Sequence, residues 1–206
     1  MNRQMFYGAY KRVHGLFGQT DCQATGMPGE EELKLLAPWK NHATNPLPGS
    51  VWETQQVPPR TDGEHSLRSN LRRAQKLLAE AGWHYRDGAL RNADHQAMVL
   101  EYLDSNEAGA RVVTPWIRNL EKLGITLKFR PVDFALYQQR LRKFDFDITS
   151  MAFAGTHNPG QEYADLFGSQ AADTEDSGNF TGLKHPAVDA LIRAMTQART
   201  RAELQP

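Results

Sequence analysis

The sequence predicts an α/β fold, with a β-α-β-α-β parallel core sheet flanked by helices and joined by a hairpin and long loops. Three observations carry that expectation. Residues 125–132 ("ITLKFRPV") and the start of 144–160 ("FDFDITSMAFAGTHNPG") alternate apolar and polar side chains, the period of a strand with one buried face, and residues 97–103 ("AMVLEYL") read as a further strand before them. Between them lie two segments whose apolar residues return every three or four positions, the spacing of a helix with one apolar stripe. Strands linked through a crossover helix run parallel with right-handed connections, because a short turn cannot carry the chain back to the same end of the sheet.

Taken in order, Met5, Phe6, Ala9, Tyr10 and Val13 recur at helical spacing, so a short amphipathic helix is expected over residues 2–13, ending at Gly15 and Gly18. Residues 19–65 are rich in Gly, Pro, Asn, Thr and Asp. A helical turn is expected near 30–36, then proline-marked irregular structure from Pro38 to Pro59. Trp39, Val51, Trp52 and Val57 are too apolar for a solvated linker. Residues 1–65 are therefore expected to pack on a core formed by residues 66–206, as one domain overall.

The clearest helix spans 66–83, with Leu67, Leu71, Ala74, Leu78 and Ala81 on one side and Arg68, Arg72, Arg73, Lys76 and Glu80 on the other. Ser66 or Ser69 suits its N-cap and Gly82 the left-handed residue after its end. The basic residues read most simply as a solvated face. Asp87-Gly88 between short apolar runs predicts a hairpin. The helix carrying Ala108, Val112, Val113, Trp116, Leu120 and Leu123 should kink at Pro115 or restart there with Thr114 as cap. Phe134, Tyr137, Leu141 and Phe144 mark the next helix, with Asp133 as its N-cap. Asp147 is expected to face solvent near the start of the last strand.

Composition excludes several functions. Twenty-four Lys plus Arg balance twenty-four Asp plus Glu, so no overall field draws in nucleic acid. The single cysteine, Cys22, forms no intrachain disulfide and reads as an incidental thiol. No apolar run is long enough to cross a bilayer, and the first residues lack the pattern of a secretion signal. There is no glycine-rich strand-to-helix turn and no P-loop, so no nucleotide cofactor is expected. The seven histidines lack metal-site spacing, and no serine sits in a strand-to-helix elbow. Neither metal, cofactor nor catalysis is expected. In open α/β sheets ligands bind outside the C-terminal edge of the strands. That edge should carry loops 104–106, 131–133 and 154–160.

Several stretches together resemble the dipeptide and oligopeptide class of extracellular solute-binding proteins, family 5, that serve ABC importers. They are "NLRRAQKLLAEAGW" before the Asp-Gly hairpin, "NLEKLGITLKFRPVDFALYQQRLRKFDFDI", and "NFTGLKHPAVDALI" with its Asn-aromatic-x-Gly followed by Pro and Val-Asp-x-Leu-Ile. "MNRQMFYGAYKR" and "EELKLLAP" further resemble the subgroup that binds oligopeptides and microcin C-like peptides. The resemblance implies a periplasmic-binding-protein-like lobe, a fragment covering most of the second of two lobes, truncated at its C-terminal end. The first lobe and the signal peptide would be missing, and the parent protein would be periplasmic. Implied partners are a peptide or peptide-like solute, the membrane permease subunits of the importer and the missing first lobe, with no nucleic acid.

Peptide-binding members often place an Asp in the loop after the Phe-Asp strand. Here that loop reads Gly155, Thr156, His157, Asn158, and Glu162 and Asp165 follow later. The residues expected to contact a solute are Ser105, Asn106, Thr156, His157, Asn158 and Asn179. Two other readings stand beside this one: a stand-alone small-ligand sensing domain of a regulatory protein, and an α/β hydrolytic enzyme working through the rim carboxylates and His157.

Overall fold

The computed structural model describes residues 5–13, 15–18, 20–24, 26–53, 58–61, 66–152 and 158–204. Among them the helices are α1 (Glu30–Lys40), α2 (Leu67–Glu80), α3 (Ala110–Glu121), α4 (Phe134–Arg142), α5 (Glu162–Phe167), α6 (Pro186–Gln197) and α7 (Arg201–Leu204). The strands are β1 (His84–Arg86), β2 (Ala89–Arg91), β3 (Val99–Asp104), β4 (Thr126–Pro131) and β5 (Ile148–Thr149). The chain divides into two compact units, Met1–Val57 with Phe153–Pro206, and Pro58–Ala152. This grouping differs from the expected core over 66–206, because the residues after Ala152 associate with the N-terminal ones.

Unit Pro58–Ala152 holds the sheet. Its order is β4-β3-β5, and both pairings are parallel. The β3–β4 register runs from Val99 opposite Thr126 to Asp104 opposite Pro131. β5 meets β3 at two positions, Tyr102 opposite Ile148 and Leu103 opposite Thr149. It is shorter than its alternation suggests, and side chains add two links beside it. The Glu101 amide donates to the Asp147 carboxylate at 2.8 Å. The Thr149 hydroxyl donates to the Leu103 carbonyl at 3.1 Å. Asp147, expected to face solvent, is exposed but also ties the two strands together.

Strand alternation sorts the side chains onto two faces. On one, Tyr102 and Leu127 pack with Val113 of α3, joined by Leu100, Ile117, Leu120, Phe129 and Ile148. The same face continues into Leu90, Leu123 and Ile125, which pack with Leu71, Ala74 and Leu78 of α2 and with Trp83. On the other face α4 is tied to Glu101 of β3. Arg140 forms ion pairs with Glu101 at 2.7 Å and Asp145 at 2.8 Å. Leu103, near the C-terminal end of the central strand, is fully buried. Removing a side chain of its size from water contributes roughly 1.5–3 kcal/mol.

The helices begin where the sequence provides caps. The Ser69 amide donates to Ser66 Oγ at 3.1 Å, starting α2, and the Leu136 amide donates to Asp133 Oδ1 at 3.0 Å, starting α4. Gly82, after α2, has φ +83°, and Asp87 and Gly88 both take positive φ in the β1–β2 hairpin. Pro115 neither breaks nor restarts α3, which runs through it. Thr114 is not a cap: its hydroxyl donates to the Ala110 carbonyl at 2.7 Å, one helical turn back.

In the other unit the expected helix over 2–13 is not formed across residues 6–13. Tyr7 and Gly8 both have positive φ, which turns the chain, and Tyr7, Tyr10 and Val13 are exposed. Helical spacing without a face to bury does not sustain a helix. α1 is longer than the turn expected near 30–36 and passes through Pro38. The Gly29 amide at its start donates to the Glu32 carboxylate at 2.6 Å.

The hairpin docks on the α3–β4 turn at Gly124, which has φ +80°, and the Leu90 amide donates to its carbonyl at 2.8 Å. A Cβ at this position would stand 2.6 Å from the Leu90 nitrogen and 2.6 Å from the Tyr85 ring. Gly124→Ala is expected to cost about 1–3 kcal/mol in urea unfolding, from backbone strain and collision together. A loss within experimental error would show that the hairpin does not rest on this turn.

Candidate ligand-binding rim

Because β3, β4 and β5 are parallel, their C-terminal ends share one edge of the sheet. There the chain leaves through Ser105-Asn106 after β3, Val132-Asp133 after β4 and Ser150 after β5. The edge is held together by the Val132 amide, which donates to the Asp104 carbonyl at 2.9 Å, and by the hydrogen bond between the Tyr102 and Ser150 hydroxyls. Beneath it the Thr149 hydroxyl is already donating to Leu103, so the Tyr137 hydroxyl donates to Thr149, at 3.1 Å.

The two rim carboxylates are engaged with backbone. Asp104 Oδ1 accepts from the Asn106 amide at 2.9 Å, while Asp133 caps α4. Gly109 leaves room for the Asp104 carboxylate, since a Cβ there would lie 2.1 Å from Oδ2. Asn106 Oδ1 accepts from the Ala108 amide at 2.9 Å, which starts the helical turn before α3. What the rim offers outward is the exposed Ser105 hydroxyl and the Nδ2 group of exposed Asn106. Both are neutral hydrogen-bonding groups. No acid–base pair with a reacting geometry is assembled among these described residues.

Below the rim, Arg140 lies between Glu101 and Asp145. Burial pulls its pKa down, but the hydrogen bonds to Asp145 and Glu101 outweigh this and hold the guanidinium above its ordinary value. It is a fixed cation that anchors α4 to β3.

The other expected contact residues belong to the unit of Met1–Val57 with Phe153–Pro206 or lie outside the described residues. Thr156 and His157 are in the latter group. Asn158 is exposed, and its Oδ1 accepts from Arg201 at 3.2 Å. Arg201 also pairs with Asp21, Nε to Oδ2 at 3.0 Å. Residues 180 positions apart are thereby joined, a link with no local signature in the sequence. Glu162 and Asp165 accept from the Gly160 and Gly178 amides at 3.1 and 2.9 Å. A cleft of about 290 Å³ lies between α5 and α6, lined by Gln161, Gly168, Ser169, Asp189, Arg193 and Thr196 among others. Burial pushes the nearby Tyr163 phenol up, reinforced by Glu162 and Cys22, so it stays neutral.

Asn179 requires a correction. It is fully buried, and both hydrogens and both lone pairs of its amide are engaged. Nδ2 donates to the Gly168 and Leu183 carbonyls at 3.0 and 2.9 Å, and Oδ1 accepts from the Thr181 hydroxyl and the Leu183 amide at 3.0 and 3.1 Å. It staples the 168–183 loop and has nothing left to give a ligand. Among the described residues no group of three His, Cys, Asp or Glu is placed to hold a metal ion. No helix there is long and apolar enough to cross a membrane.

Residues 34–175 match the family described as "Bacterial extracellular solute-binding proteins, family 5 Middle". Agrobacterium fabrum "Probable peptide-binding protein YejA" is 37% identical over 204 residues, covering 98% of this chain and 33% of that protein. "Peptidoglycan-binding protein YepA" of the same organism is 29% identical over 206 residues, covering 100% and 33%. The chain thus spans about a third of the length of these curated relatives. Among solved structures, the oligopeptide-binding protein AppA of Bacillus subtilis, in complex with a nonapeptide, matches with TM-score 0.53 at 23% identity, over 65% of this chain and 27% of that one. A Thermotoga maritima periplasmic oligopeptide-binding protein with bound mannohexaose gives 0.53 at 20%, over 66% and 26%. At these identities the structures establish a common fold.

Asn179→Ala is expected to destabilise the chain by about 2–4 kcal/mol, because it strands buried backbone groups. Urea unfolding measures the loss, and amide exchange at Leu183 should accelerate in parallel. Unchanged exchange there would mean the staple is redundant.

Proposed function

Since the chain belongs to the family 5 bacterial extracellular solute-binding proteins, we propose that it is part of the substrate-binding component of an ABC importer for peptides or peptide-like solutes. The observation that supports this most is the parallel β4-β3-β5 sheet inside the family-matching span, whose strands end at one edge beside Ser105 and Asn106. Uncharged donors and acceptors suit a peptide, because every peptide backbone presents the same complementary groups whatever its side chains. The solute contacts in this reading are Ser105, Asn106, Thr156, His157 and Asn158.

Binding is non-covalent in this reading. A second lobe, belonging to the longer protein whose relatives are three times this length, closes over the solute. The solute shifts an open–closed equilibrium through contacts made in the closed form, and the permease subunits read that form. Moving such an equilibrium from mostly open to mostly closed takes about 5.5 kcal/mol of differential binding. The protein would work in the periplasm. A peptidoglycan-derived peptide is the second candidate solute, favoured by the name of the relative that aligns over the whole chain.

Titration of the isotope-labelled chain with trialanine and with a muropeptide, followed by amide NMR shifts, tests the assignment. Shifts at 105–106 and 150–152 are expected, with affinity weaker than micromolar because one lobe cannot close on itself. Ser105→Ala with Asn106→Ala should abolish those shifts. No response at millimolar concentrations of either ligand, or responses confined to other surfaces, would overturn it.

A further inference from the structure

We propose that a cationic groove formed by α2 and the C-terminal end of α3 docks an acidic protein segment anchored by an apolar side chain. The groove, of about 450 Å³, is lined by Leu67, Arg68, Leu71, Arg72, Lys122 and Leu123, together with Gln75. It lies on a surface separate from the strand-end rim, and the proposal does not depend on the solute reading.

Two features set this surface apart from an ordinary solvated helix face. The first is its one-sided charge. Arg68, Arg72 and Lys122 line the groove, and among the described residues no carboxylate does. Arg73 and Lys76 extend the basic face along α2, whose one carboxylate, Glu80, lies at the far end and pairs with Lys76 at 3.8 Å. Among the described residues no ion pair joins Arg68, Arg72 or Arg73 to an acid. The arrangement opposes helix stability: the first turn of α2 has no acidic residue and carries Arg68 at the positive pole of the helix dipole. Arg68 and Arg72, and Arg72 and Lys76, are like charges four residues apart, which repel on a helix surface. An anionic occupant relieves all three repulsions.

The second feature is the floor. Leu123 and Leu71 belong to the core cluster beneath, and Leu67 is 37% exposed at the groove's end. Arg68, Arg72 and Lys122 beside the buried Leu123 and half-buried Leu71 match a chain segment that inserts one leucine-like side chain next to its carboxylates. A flat bilayer surface cannot reach a recessed floor, so a protein segment fits this shape better than an anionic membrane does.

The test uses the full chain and a dye-labelled peptide of alternating glutamate and leucine, read by fluorescence anisotropy. Binding that weakens with salt is expected, and it should fall more than about tenfold in Arg68→Glu/Arg72→Glu. That variant places acids at the helix N-terminus and is expected to remain folded, which its thermal unfolding curve checks. The amide-shift response to trialanine should be unchanged in it, separating this surface from the rim. Equal binding of a lysine–leucine peptide, salt-independent binding, or full binding by the variant would overturn the proposal. So would co-sedimentation with phosphatidylglycerol vesicles in the absence of peptide binding, which would assign the face to a membrane.

Discussion

The unit from Pro58 to Ala152 depends on β3 being a central strand with a parallel neighbour on each side. Parallel pairing forces a crossover helix between successive strands, and those helices must cover the sheet. α3 and α2 close one face over Tyr102, Leu127, Leu90 and Ile125, while α4 is tied to β3 by the Arg140–Glu101 ion pair. The same constraint delivers every outgoing loop to one edge. The position of the candidate rim therefore follows from strand direction.

Around that edge, most polar side chains hold the backbone in place. Asp104, Asp133, Asp147 and Thr149 each satisfy a main-chain group, and in the other unit Glu162, Asp165 and Asn179 do the same. Buried or partly buried backbone amides need partners, and short polar side chains supply them where neither helix nor ladder reaches. At the sheet edge the exposed Ser105 and Asn106 are small and neutral.

The legible parts of this chain were those governed by local rules. The strand expected at 97–103, alternation at 126–131, helical spacing at 67–80 and 134–142, and the caps at Ser66, Asp133 and Gly82 all correspond to structure. The failures share another cause. Helical spacing over 2–13 does not carry a helix through residues 6–13, because an amphipathic pattern needs a partner surface that the pattern itself does not specify. Pro115 looked like a breaker, yet α3 packs against the sheet firmly enough to absorb one missing donor. Asn179 looked like a ligand residue because of its chemistry, and only tertiary structure shows its amide enclosed by residues 168, 181 and 183. The Asp21–Arg201 pair, spanning nearly the whole chain, lies beyond any local rule.

β5 is attached very differently from β4. Six aligned residue pairs lace β4 to β3, whereas two lace β5, helped by a hydroxyl relay from Tyr137 and one aspartate. The sheet thus has a firm selvedge and a loose one. Peeling the loose side needs few bonds to part and leaves the other seam intact, so the two margins of one small sheet differ in how readily they yield.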